Sequence, residues 1–256
     1  MTRPVPYIDP ARPRPRIKPF KAWKHMQNLI ADKEDTSQVF QIVEALNGNA
    51  VVRDFERFMA SALGPGLLSD RSFLPDILDD HAPIEQLPEG SVGHAYLTFM
   101  RREGLSAAGL VAESEIQRDN DVEYDDDLLW YMNRLRDTHD LYHVLTGYNR
   151  DALGEASLLG YTHSQHQGRG ISFIAFMGGR QIAKYAPRET RVKEVISEGR
   201  RNGKAAKRIA EQDISALLHE PIDAARARLN IAKPVLYRNA LKVIAEHGVD
   251  PMLIAA

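Results

Sequence analysis

Residues 128–147 read Leu128-Leu129-Trp130-Tyr131-Met132-Asn133-Arg134-Leu135-Arg136-Asp137-Thr138-His139-Asp140-Leu141-Tyr142-His143-Val144-Leu145-Thr146-Gly147. Their periodicity decides the fold. Leu128, Met132, Leu135, His139, Tyr142 and Thr146 step by three or four, the spacing of an amphipathic helix. The apolar stripe runs straight into His139 and His143, which stack one turn apart on one helical face and are expected on the core side. Buried neutral imidazoles need partners for their ring nitrogens, and a shared metal ion supplies one. Glu155 follows breaks at Gly147 and Gly154, so it is expected to return on a second, antiparallel helix. Two histidines and a carboxylate form a donor set that Zn²⁺ accepts and that Fe²⁺ or Mn²⁺ tolerates.

The candidate metal ligands are therefore His139, Asp140, His143 and Glu155. The imidazoles would supply nitrogen and Glu155 oxygen. Asp140 is rotated about 100° from His139 around the helix. From there it is a ligand at the edge of the site, a carboxylate supporting a ligand, or a base for metal-bound water. Asp140 and Glu155 are the candidates for moving a proton. Three or four protein ligands with open positions make a site of catalytic style. A bare H-x-x-x-H pair is more often two unrelated histidines; the continuous stripe and the returning carboxylate favour the metal. His166 lies about 16 Å along the helix axis from Glu155, too far to join it. His163 is off that face. His94, after Gly93, has nothing local to recruit it.

Composition sets the outer bounds. The chain has 256 residues, 43% apolar and 27% charged, with a net charge of −2. That is the profile of a soluble globular protein and not of a strongly basic nucleic-acid binder. The absence of cysteine excludes disulfides, thiolate zinc sites, Fe–S clusters and cysteine nucleophiles. No apolar run is long enough for a transmembrane helix. No apolar segment follows the first basic residues as a secretory signal requires. Six prolines in the first twenty residues rule out an amphipathic presequence helix there. A bacterial cytoplasmic protein is the simplest reading, with residues 1–20 a basic, proline-rich arm and residues 21–256 one all-α domain.

Elsewhere the pattern is also helical. Helices are expected from Trp23, from Asp35-Thr36-Ser37, and around Val52, Phe55, Phe58 and Met59, the last ended by Gly64-Pro65-Gly66. Tyr96, Phe99 and Met100 mark another. Residues 113–127, with eight acidic side chains, read as a solvated loop. Residues 155–166 form the returning helix, and 171–185 are apolar and helical despite Gly178-Gly179. A run at 188–208 is basic, and 216–231 is a helix pair broken near Pro221.

The segment Arg134–Gly147 followed by Leu153-Gly154-Glu155 resembles the ubiquinone (coenzyme Q) biosynthesis protein 4 family, whose hallmark is H-D-x-x-H, eleven residues, then E. Leu87-Pro88-Glu89-Gly90-Ser91-Val92-Gly93-His94-Ala95-Tyr96 is similar to the family's segment before the metal helix. Asp213–Ile231 is similar to its C-terminal signature, although Ile214 stands where the family usually has tryptophan. The likeness spans roughly residues 20–232.

The resemblance implies an all-α fold with the metal between two antiparallel helices. It also implies a divalent metal, usually zinc with iron as the rival, peripheral association with the inner face of the membrane, and a polyprenylated aromatic lipid as ligand. One implied activity is oxidative decarboxylation, a hydroxyl replacing the C1 carboxylate of a polyprenylated 4-hydroxybenzoate-derived ring. The other is a non-catalytic scaffold that holds the lipid and the other ubiquinone-biosynthesis enzymes around a structural metal. The apolar segments 128–142 and 171–185 would wall the lipid site, and the basic run 188–208 would face anionic headgroups. A homodimer remains open. The His139-Asp140 dipeptide also suits an HD-type phosphohydrolase, which needs a separate upstream histidine and downstream aspartate; His94 and Asp213 are the candidates.

Overall fold

The helical periodicity is realised along the whole described chain. The computed structural model describes residues 5–13, 15–32, 35–115 and 124–254. Among them are sixteen α-helices, a few short 3₁₀ turns and no β-strand. In chain order the first are α1 (Pro19–Ala31), α2 (Ser37–Asn47), α3 (Ala50–Ala60), α4 (Gly64–Asp70), α5 (Leu74–Leu78) and α6 (His81–Glu85). Then come α7 (Val92–Glu103), α8 (Ala107–Glu115), α9 (Asp127–Asp137), α10 (His139–Thr146) and α11 (Ala152–His166). The last are α12 (Arg169–Tyr185), α13 (Val192–Ala205), α14 (Ile214–His219), α15 (Ile222–Leu229) and α16 (Val235–Glu246). Two compact units emerge. One comprises Met1–Arg14, Val51–Leu145 and Arg208–Leu229; the other comprises Pro15–Ala50, Thr146–Lys207 and Asn230–Ala256.

In the first unit, Phe55 and Phe58 of α3 pack with Leu68 of α4 and with Leu128 and Tyr131 of α9. The aromatic rings of Phe55, Phe58 and Tyr131 have centroids 5.0–6.5 Å apart. A polar knot sits beside this cluster. Asp54 accepts from the Tyr131 hydroxyl (2.5 Å), Arg208 (2.8 Å) and Arg57 (2.7 Å). Burial works to lower the pKa of Arg208, but Tyr131, Asp54 and Glu211 outweigh it and raise it, so the guanidinium stays charged.

The two flanking segments that resemble the family meet in this unit. Val92 N–H donates to the Glu220 carbonyl and Ile222 N–H to the Gly90 carbonyl, each at 2.8 Å. Ser91 caps α7 through the His94 N–H. Gly93 lets α7 approach α14, since a Cβ there would lie 2.5 Å from a Leu87 methyl and 3.1 Å from the Leu218 carbonyl oxygen. Ile214 is buried.

In the second unit, Ala22, Met26 and Leu29 of α1 pack on Ile42 and Ala45 of α2 and Ile174 of α12. Here α11 and α13 are in backbone contact. A Cβ on Gly199 or Gly203 would fall 2.3 Å from the carbonyl oxygen of Ser157 or Tyr161. The buried carboxylate of Glu198 accepts from the N–H groups of Leu236 and Tyr237 and so caps α16.

Three expectations need correction. Gly64-Pro65-Gly66 does not simply end α3; it opens α4, because proline at a first helical turn lacks only an N–H that would have no intrahelical partner. The acidic stretch 113–127 is not all solvated loop. Residues 113–115 belong to α8, and Asp126 is a buried N-cap of α9 that accepts from Leu129 N–H (2.9 Å) and pairs with Arg12 (2.7 Å). Residues 116–123 lie outside the described residues. The stripe beginning at Leu128 is also not one unbroken apolar face. Met132 is exposed, whereas Arg134, Asp137 and Thr138 are buried.

Candidate metal centre

Thr138 separates α9 from α10. Its hydroxyl donates to the carbonyls of Arg134 (3.0 Å) and Leu135 (3.2 Å), the back-bonding that bends helices. The backbone of Thr138 stays in the right-handed region, so α10 continues from α9 after a local break. The inward polar residues of α9 are satisfied. Arg134 donates to the carbonyls of Ala210 (2.8 Å) and Gln212 (2.6 Å), and burial pushes its pKa down to about 10. Arg136 pairs with Asp137 at 2.7 Å; burial still raises the Asp137 carboxyl above its ordinary range. Arg226 of α15 donates to the carbonyls of Val144 (3.1 Å) and Leu145 (2.9 Å) at the far end of α10. These are two of the four carbonyls a helix leaves without internal partners.

Between these clamps, α10 brings His139, Asp140 and His143 together. Their candidate ligand atoms all lie within 4.8 Å of one another. Among the described residues, this is a cluster tight enough to hold one ion. His143 and Asp140 are buried, and His139 is half-buried. Two imidazole nitrogens and one carboxylate oxygen match the borderline chemistry of Zn²⁺ and the two-His, one-carboxylate set of Fe²⁺, so the trio fits a divalent metal. Asp140 is inside the ligand cluster even though it sits about 100° around the helix from His139.

The cluster lies between helices, with α7 beside it. The Phe99 ring stacks on the His143 ring at 5.4 Å and 19°, and His139 meets His143 edge-on at 5.0 Å and 87°. Tyr96, one turn earlier on α7, is buried. Burial, reinforced by the carboxylates of Asp140, Asp79 and Asp137, raises its phenol far above the usual range, so it remains a neutral hydroxyl. Sequence spacing marked Tyr96 and Phe99 only as apolar positions of a helix. Nothing in the one-dimensional pattern signalled that Phe99 lies against the His143 ring.

Glu155 stands in the first turn of α11, in the second unit. Asp151 caps that helix by accepting from Gly154 N–H (3.0 Å), and its other oxygen accepts from the Tyr237 hydroxyl. Burial raises the Asp151 carboxyl. Gly154 is required before Glu155, since a Cβ there would sit 2.1 Å from the Asn149 carbonyl oxygen. Of the other histidines, His163 holds the Gly168 carbonyl at 3.0 Å and His94 is half-buried on α7. Asp213, which an HD-type reading would need, is an exposed N-cap of α14, accepting from Ala216 N–H at 3.0 Å.

An all-α chain with a two-histidine, one-aspartate cluster on a buried helix defines the class. Residues 22–235 match the family model described as coenzyme Q (ubiquinone) biosynthesis protein Coq4, and the chain belongs to that family. It is 28% identical over 198 residues to the protein of Aspergillus clavatus named ubiquinone biosynthesis protein coq4, mitochondrial. A protein of the same name from Penicillium rubens is 28% identical over 195 residues. In both cases the match covers 75% of this chain and 64% of the relative, so it spans just under two thirds of those relatives' length. The fold matches a crystal structure from Nostoc punctiforme described as that of a candidate ubiquinone biosynthesis protein. The TM-score is 0.61 at 22% identity, covering 85% of this chain and all of the other. Among the described residues, no helix is long and apolar enough to cross a membrane.

Proposed function

We propose that this protein acts in ubiquinone biosynthesis, replacing the C1 carboxylate of a polyprenylated 4-hydroxybenzoate-derived ring with a hydroxyl. The observation that carries this reading is the buried His139, Asp140 and His143 trio in a chain of this family. The hallmark spacing adds Glu155 as a fourth ligand. A divalent metal held by these residues, zinc first and iron as its rival, would act as a Lewis acid toward the charge that develops as CO₂ leaves. The trio's burial restricts water around the reacting ring. Asp140 and Glu155 would be the carboxylates that take and return a proton. The C1–carboxyl bond breaks, a C–O bond forms at C1, and the ring gives up two electrons. With dioxygen as oxidant, aromatic acid, O₂ and water become phenol, CO₂ and hydrogen peroxide.

The second reading is a lipid-binding scaffold for the other biosynthetic enzymes, with a structural metal. It is favoured by the exposed basic face of α13 and its end, Arg200, Arg201, Lys204 and Lys207. Each basic residue close to anionic lipid contributes about 1 kcal/mol, so this face suits a peripheral membrane protein at the inner leaflet. One experiment separates the two readings. His139→Ala and Glu155→Ala are expressed in cells lacking their own family member, and prenylated aromatics are measured by mass spectrometry. Accumulation of a ring-carboxylated precursor is expected. Normal quinone levels with the metal lost would reject catalysis in favour of the scaffold. Metal analysis of the purified protein then separates zinc from iron.

A further inference from the structure

The His143 side chain is gripped on two sides. Its face lies against Phe99, nearly parallel at 19° with centroids 5.4 Å apart, and the His139 ring meets it edge-on at 5.0 Å. Phe99 is itself buried at 6% exposure. Its ring has the Arg102 guanidinium over it at 5.4 Å from the centroid. Arg102 pairs with Glu103 at 2.8 Å. Because Phe99 and Arg102 are three residues apart on α7, the helix itself sets this register.

A histidine offers a metal either of two ring nitrogens, and the choice depends on the ring's rotation about its Cβ–Cγ bond. Exchanging them requires the imidazole to turn through the perpendicular, which drives its edge into whatever is stacked on its face. Phe99 occupies that space, and the packing that holds Phe99 leaves it little room to retreat. Ligating histidines are usually fixed by a hydrogen bond from the second ring nitrogen; here an aromatic face adds a steric lock.

We infer that Phe99, backed by Arg102, is a positioning residue that fixes which His143 nitrogen is presented to a metal. The inference rests on the metal reading above. It also assigns α7 a role at the site, through a residue outside the ligand hallmark.

The test uses the full-length protein, stripped of metal by chelation and titrated with Zn²⁺ in competition with a chromophoric chelator. Co²⁺ serves as the spectroscopic probe of ligand geometry. Phe99→Leu removes the flat face while keeping an apolar side chain, and Phe99→Tyr restores the face. Phe58→Leu, in the aromatic cluster of the same unit, is the packing control. Zn²⁺ affinity is expected to fall about 10-fold in Phe99→Leu, the lower end of what ligand-orienting partners contribute. Its Co²⁺ visible bands should lose intensity or shift, Phe99→Tyr should recover both, and Phe58→Leu should lower stability without changing affinity. Equal affinity in Phe99→Leu and the parent, or an equal loss in Phe58→Leu, overturns the inference. If the parent chain itself binds no metal, the metal reading fails first, and the inference with it. Should Phe99→Leu not fold, the exposed Arg102→Gln carries the test. Weakening of at most about two- to five-fold is expected from loss of an exposed cation–π contact, and unchanged affinity overturns the inference.

Discussion

Replacing Asp54 with alanine removes the carboxylate on which three side chains of the first unit converge. The Tyr131 hydroxyl (2.5 Å) and Arg208 (2.8 Å) are both buried or nearly so, and Asp54 itself is 5% exposed. Arg57 makes the third bond at 2.7 Å, but its side chain is 41% exposed. The Arg57 pair is screened by water and contributes no more than about 1 kcal/mol. The larger loss falls on the enclosed guanidinium of Arg208, which keeps its pair with Glu211 but loses the buried Asp54 carboxylate. Breaking a buried pair from one side costs about 3–5 kcal/mol. For a chain of this size that lowers Tm by roughly 6–20 °C. The chain has two tryptophans, Trp23 and Trp130. In a Trp23→Phe background, the remaining fluorescence comes from Trp130, whose ring lies 5.9 Å from Phe58 in the affected cluster. Urea unfolding followed at Trp130 should therefore report the loss directly. Adding Arg208→Met should restore more than half of it, because the buried charge that lost Asp54 is removed as well. A single-variant cost below about 1 kcal/mol, or strictly additive losses in the double variant, would refute the reasoning.

Acid should loosen the arm at residues 5–13. Burial raises the Asp126 carboxyl, but bonds from Arg12, Leu129 N–H and Asp9 N–H prevail and hold its folded pKa below the ordinary value. A depressed folded pKa stabilises the native state above the unfolded value, near 3.8, and that contribution is lost as pH falls through the folded pKa. Cleavage of the arm by an acid-tolerant protease should thus rise below about pH 4, while Asp126→Asn should be cleaved readily at neutral pH as well. Gly203→Ala should cost about 1–3 kcal/mol by overpacking, because its Cβ would meet the Tyr161 carbonyl oxygen at 2.3 Å and must force α11 and α13 apart. Calorimetry checks it, and an unchanged Tm would mean that the two helices separate freely. Arg226→Met should strip the charge-assisted partners from the Val144 and Leu145 carbonyls. A loss of about 1–2 kcal/mol is expected, visible as faster amide exchange concentrated in α10, and exchange that stays uniform would argue that Arg226 does not hold that end.

The residues that were legible in the sequence are those whose role depends on local spacing. His139 and His143 share a face because any helix places i and i+4 there; the helix carrying Glu155 was also expected, but it starts earlier, at Ala152 after the Asp151 cap, with Gly154 inside its first turn rather than breaking it. The all-helical class follows from the same periodicity. Less legible were residues whose environment is set by distant chain. Met132 fits the apolar template but is exposed, whereas Arg134 and Asp137 break it and are buried. The reason is that Ala210 and Gln212 offer carbonyls to Arg134, and Arg136 offers a cation to Asp137. Such inward polar groups cannot be ranked by hydrophobicity, because their partners lie elsewhere in the sequence. Asp126 escaped for the same cause: amid acidic neighbours it reads as solvated, and its partners Arg12 and Asp9 N–H come from distant chain. Phe99 looked like one more core aromatic, and its contact with His143 is invisible without the packing of α7.

Those distant partners explain why the chain's recognisable segments are three rather than one. Burying two imidazoles and a carboxylate on one helix carries a desolvation cost, so the helix is held by contacts from outside the cluster. Arg134 ties α9 to residues 210–212, and Arg226 ties the end of α10 to α15. The segment from Asp213 to Leu229 is in turn anchored to the start of α7 by paired backbone bonds at Gly90, Val92, Glu220 and Ile222. The helix so anchored carries Phe99, which returns to the face of His143. Residues 87–99, 134–145 and 210–229 are thus linked in a ring of contacts that includes the ligand helix. Within this unit, a substitution at Arg134, Arg226 or Phe99 is expected to reach the imidazoles without replacing a ligand.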